Sequence, residues 1–378
     1  METYDAIVVG LGATGSSTLY HLARRGLRVL GIDKFVPPHA HGSSHGHNRI
    51  IRLAYHEHPS YVPLLKRAYA LWRELETKSG EPLLHITGSI DAGPEDDIVF
   101  SGAKLACEMF DLPHTILSHT QLADRYPAYH LPHGTWALLQ PQGGFLDVER
   151  CINAHLTLAQ AHGATIITQC ALEHWEANAQ GVRVFTATSE YTASKMVLCT
   201  GAWMPDHLPA FRPHLQPERL VVAWFQAADP SLVMPKNFPV FNMTMPEGRF
   251  YGLPSFGIEG LKIGRWHHLH ESIHPETVDR TVSEVDLAVL TDCIKKYFPR
   301  ANGTVLQSSV CLVTNMRDEN FVMDLHPEHP HVVIMSACSG HGFKFASVLG
   351  EIAADLSEFG KTEHGIAMHR WPRGSSTL

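Results

Sequence analysis

The apolar and small positions of the first thirty-odd residues follow an order that predicts a strand, a tight turn and a helix. Ala6-Ile7-Val8-Val9 is a continuous apolar run of the kind a buried parallel strand carries. It passes into Gly10-Leu11-Gly12-Ala13-Thr14-Gly15 and then into helix-patterned sequence. In that order Gly10 allows the turn, Gly12 lets the backbone approach a pyrophosphate, and Gly15 lets the helix lie close on the strand. The helix start offers free N–H groups to phosphate. A second apolar stretch, Val29-Leu30-Gly31-Ile32, ends at Asp33, eighteen residues beyond Gly15. A carboxylate there accepts hydrogen bonds from ribose hydroxyls and disfavours a 2′-phosphate. Strand, glycines, helix and acid together predict a dinucleotide cradle, with NAD and FAD both open as its occupant.

Residues 35–48 form a long polar loop, which is where function often sits. Helical spacing returns over 60–78, with Val62, Leu65, Leu71 and Trp72 on one face. Mixed patterns occupy 82–140, and a helix is expected from 143–147, with Asp147 as its N-cap. Residues 164–167, 182–185 and 196–199 read as strands, the last running into the small-residue turn Thr200-Gly201-Ala202-Trp203. Strand patterns at 219–224 and 261–263 and a helix at 284–298 suggest a second sheet. The chain then repeats its opening logic: a strand at 331–335, the turn Ser339-Gly340-His341-Gly342, and an amphipathic helix over 343–359. The expected fold is therefore α/β, a Rossmann-like nucleotide-binding domain interleaved with an α+β substrate domain carrying a mixed or antiparallel sheet. The first is assigned residues 1–80, 145–212 and 315–378, the second 81–144 and 213–314.

Length and charge narrow the function. A chain of 378 residues can bury a large core, and 30 basic against 38 acidic residues give a net charge of −8. No basic run tracks a phosphate backbone, so nucleic acid is not an expected partner. No apolar stretch approaches the roughly 20 residues of a membrane span, and the first strand begins too early to leave room for a signal peptide. A soluble, cytoplasmic protein is expected. Seven cysteines form no C-x-x-C pair and no metal-ligand spacing, so reduced thiols are expected; the 27 histidines are many and a few cluster, as in Trp266-His267-His268-Leu269-His270, but each is expected to be a surface or packed residue, and no metal site is expected. Read alone, Cys311 is one such thiol, and Lys262 in Gly260-Leu261-Lys262-Ile263-Gly264 either faces water from an edge strand or is buried for a purpose.

Several stretches together resemble one family, the flavin-dependent amine oxidases of the monomeric sarcosine oxidase and N-methyl-L-tryptophan oxidase group. They are GLGATG with Asp33, PPHAHGSSHGHNRIIRLAY at 37–55, TGAW at 200–203, YGLPSFGIEGLKIG at 251–264, Cys311, and SGHGFKFASVLGEIAADL at 339–356. The resemblance implies FAD held covalently through a Cys311 thioether, and Lys262 beside the flavin where its charge assists oxygen reduction. It implies that Arg52 and Lys344 bind the substrate carboxylate, that Arg49 and His45 lie near the flavin ring, and that Tyr251 lines the substrate space. Gly340, His341 and Gly342 would bring backbone N–H groups and the final helix start to the flavin edge. Two positions depart from the group's pattern: Trp266 stands where a histidine is common beside the substrate, and Val313 where a tyrosine is common. The implied activity is oxidation of an N-methyl amino acid such as sarcosine or N-methyl-L-tryptophan, with oxygen as acceptor, by a monomer. The alternatives are a dehydrogenase passing electrons to another acceptor and a non-catalytic FAD-binding protein.

Overall fold

The computed structural model describes residues 3–371. The opening strand Thr3–Val9 is buried from Ala6 onward and pairs in parallel with Val29–Ile32 on one side and Glu190–Leu198 on the other. Burial on both faces explains why its sequence is a continuous apolar run rather than an alternating one. Thr165–Ile167 extends the parallel ladder beyond Val29–Ile32. The strand Glu190–Leu198 is shared: its first half pairs antiparallel with Gly181–Phe185, and its second half pairs in parallel with Val332–Ser336. Sequence-distant pieces thus close one eight-stranded sheet.

The helix Ala13–Ala23 lies on this sheet, packed between Val148–Ala161 and Ala346–Phe359. Its close approach depends on glycine. A Cβ at Gly15 would sit 1.7 Å from the Gly10 carbonyl oxygen, and one at Gly350 would sit 2.2 Å from Ser17 Oγ. Gly10 itself has φ +86°, in the region that favours glycine.

The second eight-stranded sheet runs antiparallel throughout, except where Val240–Met245 lies parallel to Ser89–Gly93. Its long outer strand Val305–Met316 pairs with Leu215–Phe225, opposing Cys311 to Leu220; Leu215–Phe225 pairs in turn with Leu261–Arg265, opposing Trp224 to Lys262. A three-stranded sheet, with Gly144–Asp147 between Asn48–Ile51 and Leu84–Ile86, completes the mixed α/β architecture.

Two elements differ from the sequence expectation. Residues 144–147 are a strand, because Phe145 and Leu146 are fully buried between two neighbouring strands. The helix starts only at Val148, with Asp147 accepting from Arg150 N at 3.1 Å as its cap. The final helical stretch is divided, a single 3₁₀ turn Phe343–Phe345 preceding the helix Ala346–Phe359. Among the described residues no helix is long and apolar enough to cross a membrane.

A buried ion pair fixes the helix Glu284–Tyr297 against the second sheet. Arg219 donates to both oxygens of Asp286 at 2.8 and 2.9 Å, His268 Nε2 lies 2.9 Å from the same carboxylate, and Asp286 also closes the capping box with Ser283. Burial alone would raise the Asp286 carboxyl, but the Arg219 and Ser283 hydrogen bonds outweigh it and hold it well below the usual carboxylate range. The stabilisation is complete above the ordinary aspartate value of about 4 and is lost as pH falls below it. Asp286→Ala, which leaves Arg219 buried without its acid, is expected to cost about 3–5 kcal/mol of unfolding free energy, read as a lowered urea midpoint at neutral pH.

Candidate active site

One cavity of about 540 Å³ collects nearly all the residues singled out in the sequence. Gly10, Gly12 and Asp33 line it in the nucleotide-binding layer. A Cβ on Gly12 would meet only Ser44 Oγ, at 3.5 Å, so the open space over this glycine is the kind a pyrophosphate fills. Asp33 is fixed by two backbone donors, Leu11 N at 2.7 Å and Phe35 N at 2.8 Å, one on each carboxylate oxygen. Each oxygen keeps a lone pair for a ribose hydroxyl. Gly15 does not line the cavity and acts through packing alone. These residues fit the adenosine diphosphate half of FAD.

A second cluster surrounds Cys311. Arg49 donates to the Asn48 and Ser43 carbonyls, each at 3.0 Å, and its Nη2 lies 4.0 Å from Cys311 Sγ. Lys262 is almost completely buried, and its Nζ donates to Gly46 O at 2.7 Å and to Asn48 O and Oδ1, each at 3.0 Å. Those three acceptors match the three N–H bonds of an ammonium, although burial and Arg49 push its pKa well below the usual lysine range. The edge-strand reading of Lys262 is thereby excluded. His45 is buried and does not itself line the cavity. Burial alone would raise the Cys311 thiol; His45, then Arg49 and Lys262, outweigh it and bring it down to about 6.

The third cluster contains Arg52 and Lys344, each also bonded within the protein. The Arg52 fork is already engaged: Nη2 contacts both Glu57 oxygens at 2.8 and 2.9 Å, Nη1 donates to Ala54 O at 2.5 Å, and Nε lies 3.6 Å from Asp91 Oδ1. The chain turns back after Asn48–Ile51 and brings Glu57, five residues on, to the guanidinium. Lys344 Nζ donates to His341 O at 2.7 Å, and burial with Arg52 nearby pushes it down to about 7. Asp91, buried beside Arg52 and His56 and outside the cavity lining, is pushed up by its burial to about 6.

The turn 339–342 lines the cavity with Gly340, His341 and Gly342, and two of its N–H groups also bond within the protein. The backbone N–H groups of His341 and Gly342 donate to Cys338 O at 2.8 and 2.9 Å, closing the turn. The His341 ring is committed as well: Nε2 donates to Glu319 O at 2.9 Å, so Nδ1 accepts from Tyr55 Oη at 2.5 Å. Gly340, at φ +70°, leaves room for Trp266, whose ring atoms would lie 2.1 Å from a Cβ there. Tyr251, Trp266 and Val313 line the cavity together. Sequence reasoning missed Asn48, Glu57, Arg249 and His39, all of which line it too. Glu57, inside a run beginning with Arg52, was the one with a readable signal, a charge pair at short spacing.

A dinucleotide cradle opening onto a cavity walled by an antiparallel sheet and lined with cations defines a nucleotide-dependent redox enzyme. The chain belongs to the FAD dependent oxidoreductase family, which it matches over residues 5–356. It is 40% identical over 370 residues to a monomeric sarcosine oxidase of Bacillus sp. (strain NS-129), covering 97% of this chain and 95% of that protein. It is 35% identical over 354 residues to the N-methyl-L-tryptophan oxidase of Yersinia pestis (strain Pestoides F), covering 93% and 94%. The solved structure of NikD, an amino acid oxidase essential for nikkomycin biosynthesis, superposes with a TM-score of 0.86 at 26% identity, covering 100% and 99%.

The depressed thiol gives a test independent of turnover. In flavin-free protein, iodoacetamide is expected to modify Cys311 fastest of the seven cysteines at pH 7, with a rate that falls as pH drops through about 6, read by peptide mass spectrometry.

Proposed function

We propose that this chain is a flavin-dependent oxidase of amino acids bearing a secondary amine, N-methyl amino acids among them. The observation that carries the reading is the single cavity shared by the nucleotide cradle, the Cys311–Arg49–Lys262 cluster and the Arg52–Lys344 cluster. FAD, when bound, supplies acceptance of two electrons from the carbon next to nitrogen and their passage to oxygen. For an N-methyl substrate the balance is R–NH–CH₃ + O₂ + H₂O giving R–NH₂, formaldehyde and hydrogen peroxide.

The side chains of this protein take the remaining work. Arg52 and Lys344 receive the substrate carboxylate, and Tyr251 and Trp266 wall the space beside it. Lys262, held by three carbonyl oxygens, places positive charge where charge develops on oxygen. Cys311 would hold the flavin through a thioether to a flavin methyl carbon, the sulfur proton and one methyl hydrogen leaving with two electrons that pass to oxygen as hydrogen peroxide, and Arg49 and His45 would keep the thiolate. Gly340, His341 and Gly342 shape the turn that leads into the final helix. We propose the same discontinuous division as the sequence suggests, with residues 1–80, 145–212 and 315–378 holding FAD and the rest facing the substrate.

Attachment is tested by acid precipitation: yellow colour should pellet with wild type and stay in solution with Cys311→Ala, whereas release from both would remove the covalent link. The oxidase reading is tested by Lys262→Met. Reoxidation of the reduced enzyme by oxygen should slow at least 100-fold in stopped flow, while substrate reduction of the flavin changes far less. Equal reoxidation rates would sink the assigned role.

A further inference from the structure

Arg249 stands beside the substrate cluster with a guanidinium fork that the fold leaves unused. It lies on Gly248–Leu253, two residues before Tyr251, so both side chains project from the same face of the strand into the cavity. Its side chain is only 20% exposed, its guanidinium packs 4.7 Å from the Trp266 ring, and its polar approach is Glu57 Oε1 at 3.6 Å, beyond hydrogen-bond length. Among the described residues it donates no hydrogen bond, whereas Arg49 and the buried Arg52 and Arg219 are each tied down by carbonyls or carboxylates.

Burying an arginine whose N–H groups find no hydrogen-bond acceptor is costly, and here burial lowers its pKa. Of the groups lining this part of the cavity, Arg52, Arg249 and Lys344 are basic and Glu57 is acidic; Asp91, outside the lining, lies 3.6 Å from Arg52, and it and Glu319 act on Arg249 from beyond ion-pair distance. A second carboxylate on the substrate supplies the hydrogen-bond acceptor that the Arg249 fork lacks. That Glu57 already sits between the Arg52 and Arg249 guanidiniums shows that the spacing admits a carboxylate. The Trp266 ring, packed on Gly340 and under Arg249, is already occupied by the protein itself.

Building on the oxidase reading, we infer that the preferred substrate is a secondary amine of a dicarboxylic amino acid, N-methyl-aspartate or N-methyl-glutamate in kind, whose distal carboxylate is received by Arg249. The geometry makes Arg249 a specificity residue, acting on which amine is chosen rather than on the redox step.

Two measurements on the flavin-loaded protein test this. By calorimetry, glutarate should bind at least tenfold tighter than butyrate to wild type. Arg249→Gln should bring the two within about threefold, and Arg249→Lys should keep part of the difference. In turnover, the ratio of kcat/KM for N-methyl-L-glutamate to that for N-methyl-L-norvaline should exceed ten and fall at least tenfold in Arg249→Gln. Equal binding of glutarate and butyrate to wild type would overturn the inference whether or not the variants fold, as would a ratio that Arg249→Gln leaves unchanged. If no amine is oxidised while the Arg249-dependent preference for glutarate holds, the oxidase reading fails and the second-carboxylate site stands.

Discussion

A single buried lysine joins the two layers of this protein. Lys262 comes from the antiparallel sheet, and its acceptors, Gly46 O, Asn48 O and Asn48 Oδ1, come from the loop and strand that follow the nucleotide cradle. A cation in that position is tolerable only because every N–H finds an oxygen and the Trp224 ring lies 5.1 Å away. The same bonds fix the course of residues 46–48 and therefore the place of Arg49, whose guanidinium bears on Cys311. Packing, charge and the state of the thiol are consequences of one contact between sheets.

The cavity that results is not uniformly cationic. Around Cys311 the positive groups are held by neutral carbonyls, so their charge is left to act on the thiol and on whatever negative charge arises beside it. Around Arg52 the positive groups meet an acid, Glu57, and the buried Asp91. Burial drives Lys344 down to about 7 and Asp91 up to about 6, so this cluster responds to neutral-range pH and to the arrival of an anion. The first cluster suits redox chemistry, and the second suits recognition.

Local sequence was enough for the cradle. Gly10, Gly15 and Asp33 act through backbone geometry within about thirty residues, and that geometry leaves few other residues possible: a Cβ at Gly15 would overlap the Gly10 carbonyl. The parallel strands, the capping role of Asp147 and the interleaved order of the chain were legible for the same reason, since period and turn chemistry are properties of neighbours. The strand at Gly144–Asp147 was not, because its apolar pair is consistent with either a helix start or a central strand until Asn48–Ile51 and Leu84–Ile86 are seen on both sides of it.

For the site, the sequence determined which side chains carry chemistry, and resemblance to a family grouped them: Lys262, Arg49, Arg52, Cys311 and Lys344 were all named from motifs. Only the tertiary structure decided what each of them touches. It gave Arg52 to Glu57, closed the 339–342 turn on the Cys338 carbonyl, tied the His341 ring to Tyr55 and Glu319, and left Arg249 with an ion pair to Glu57 too long for a hydrogen bond. The physical reason is range. Backbone conformation and periodicity are set by residues a few positions apart, whereas desolvation and Coulomb interaction depend on which groups from distant segments share one dry space.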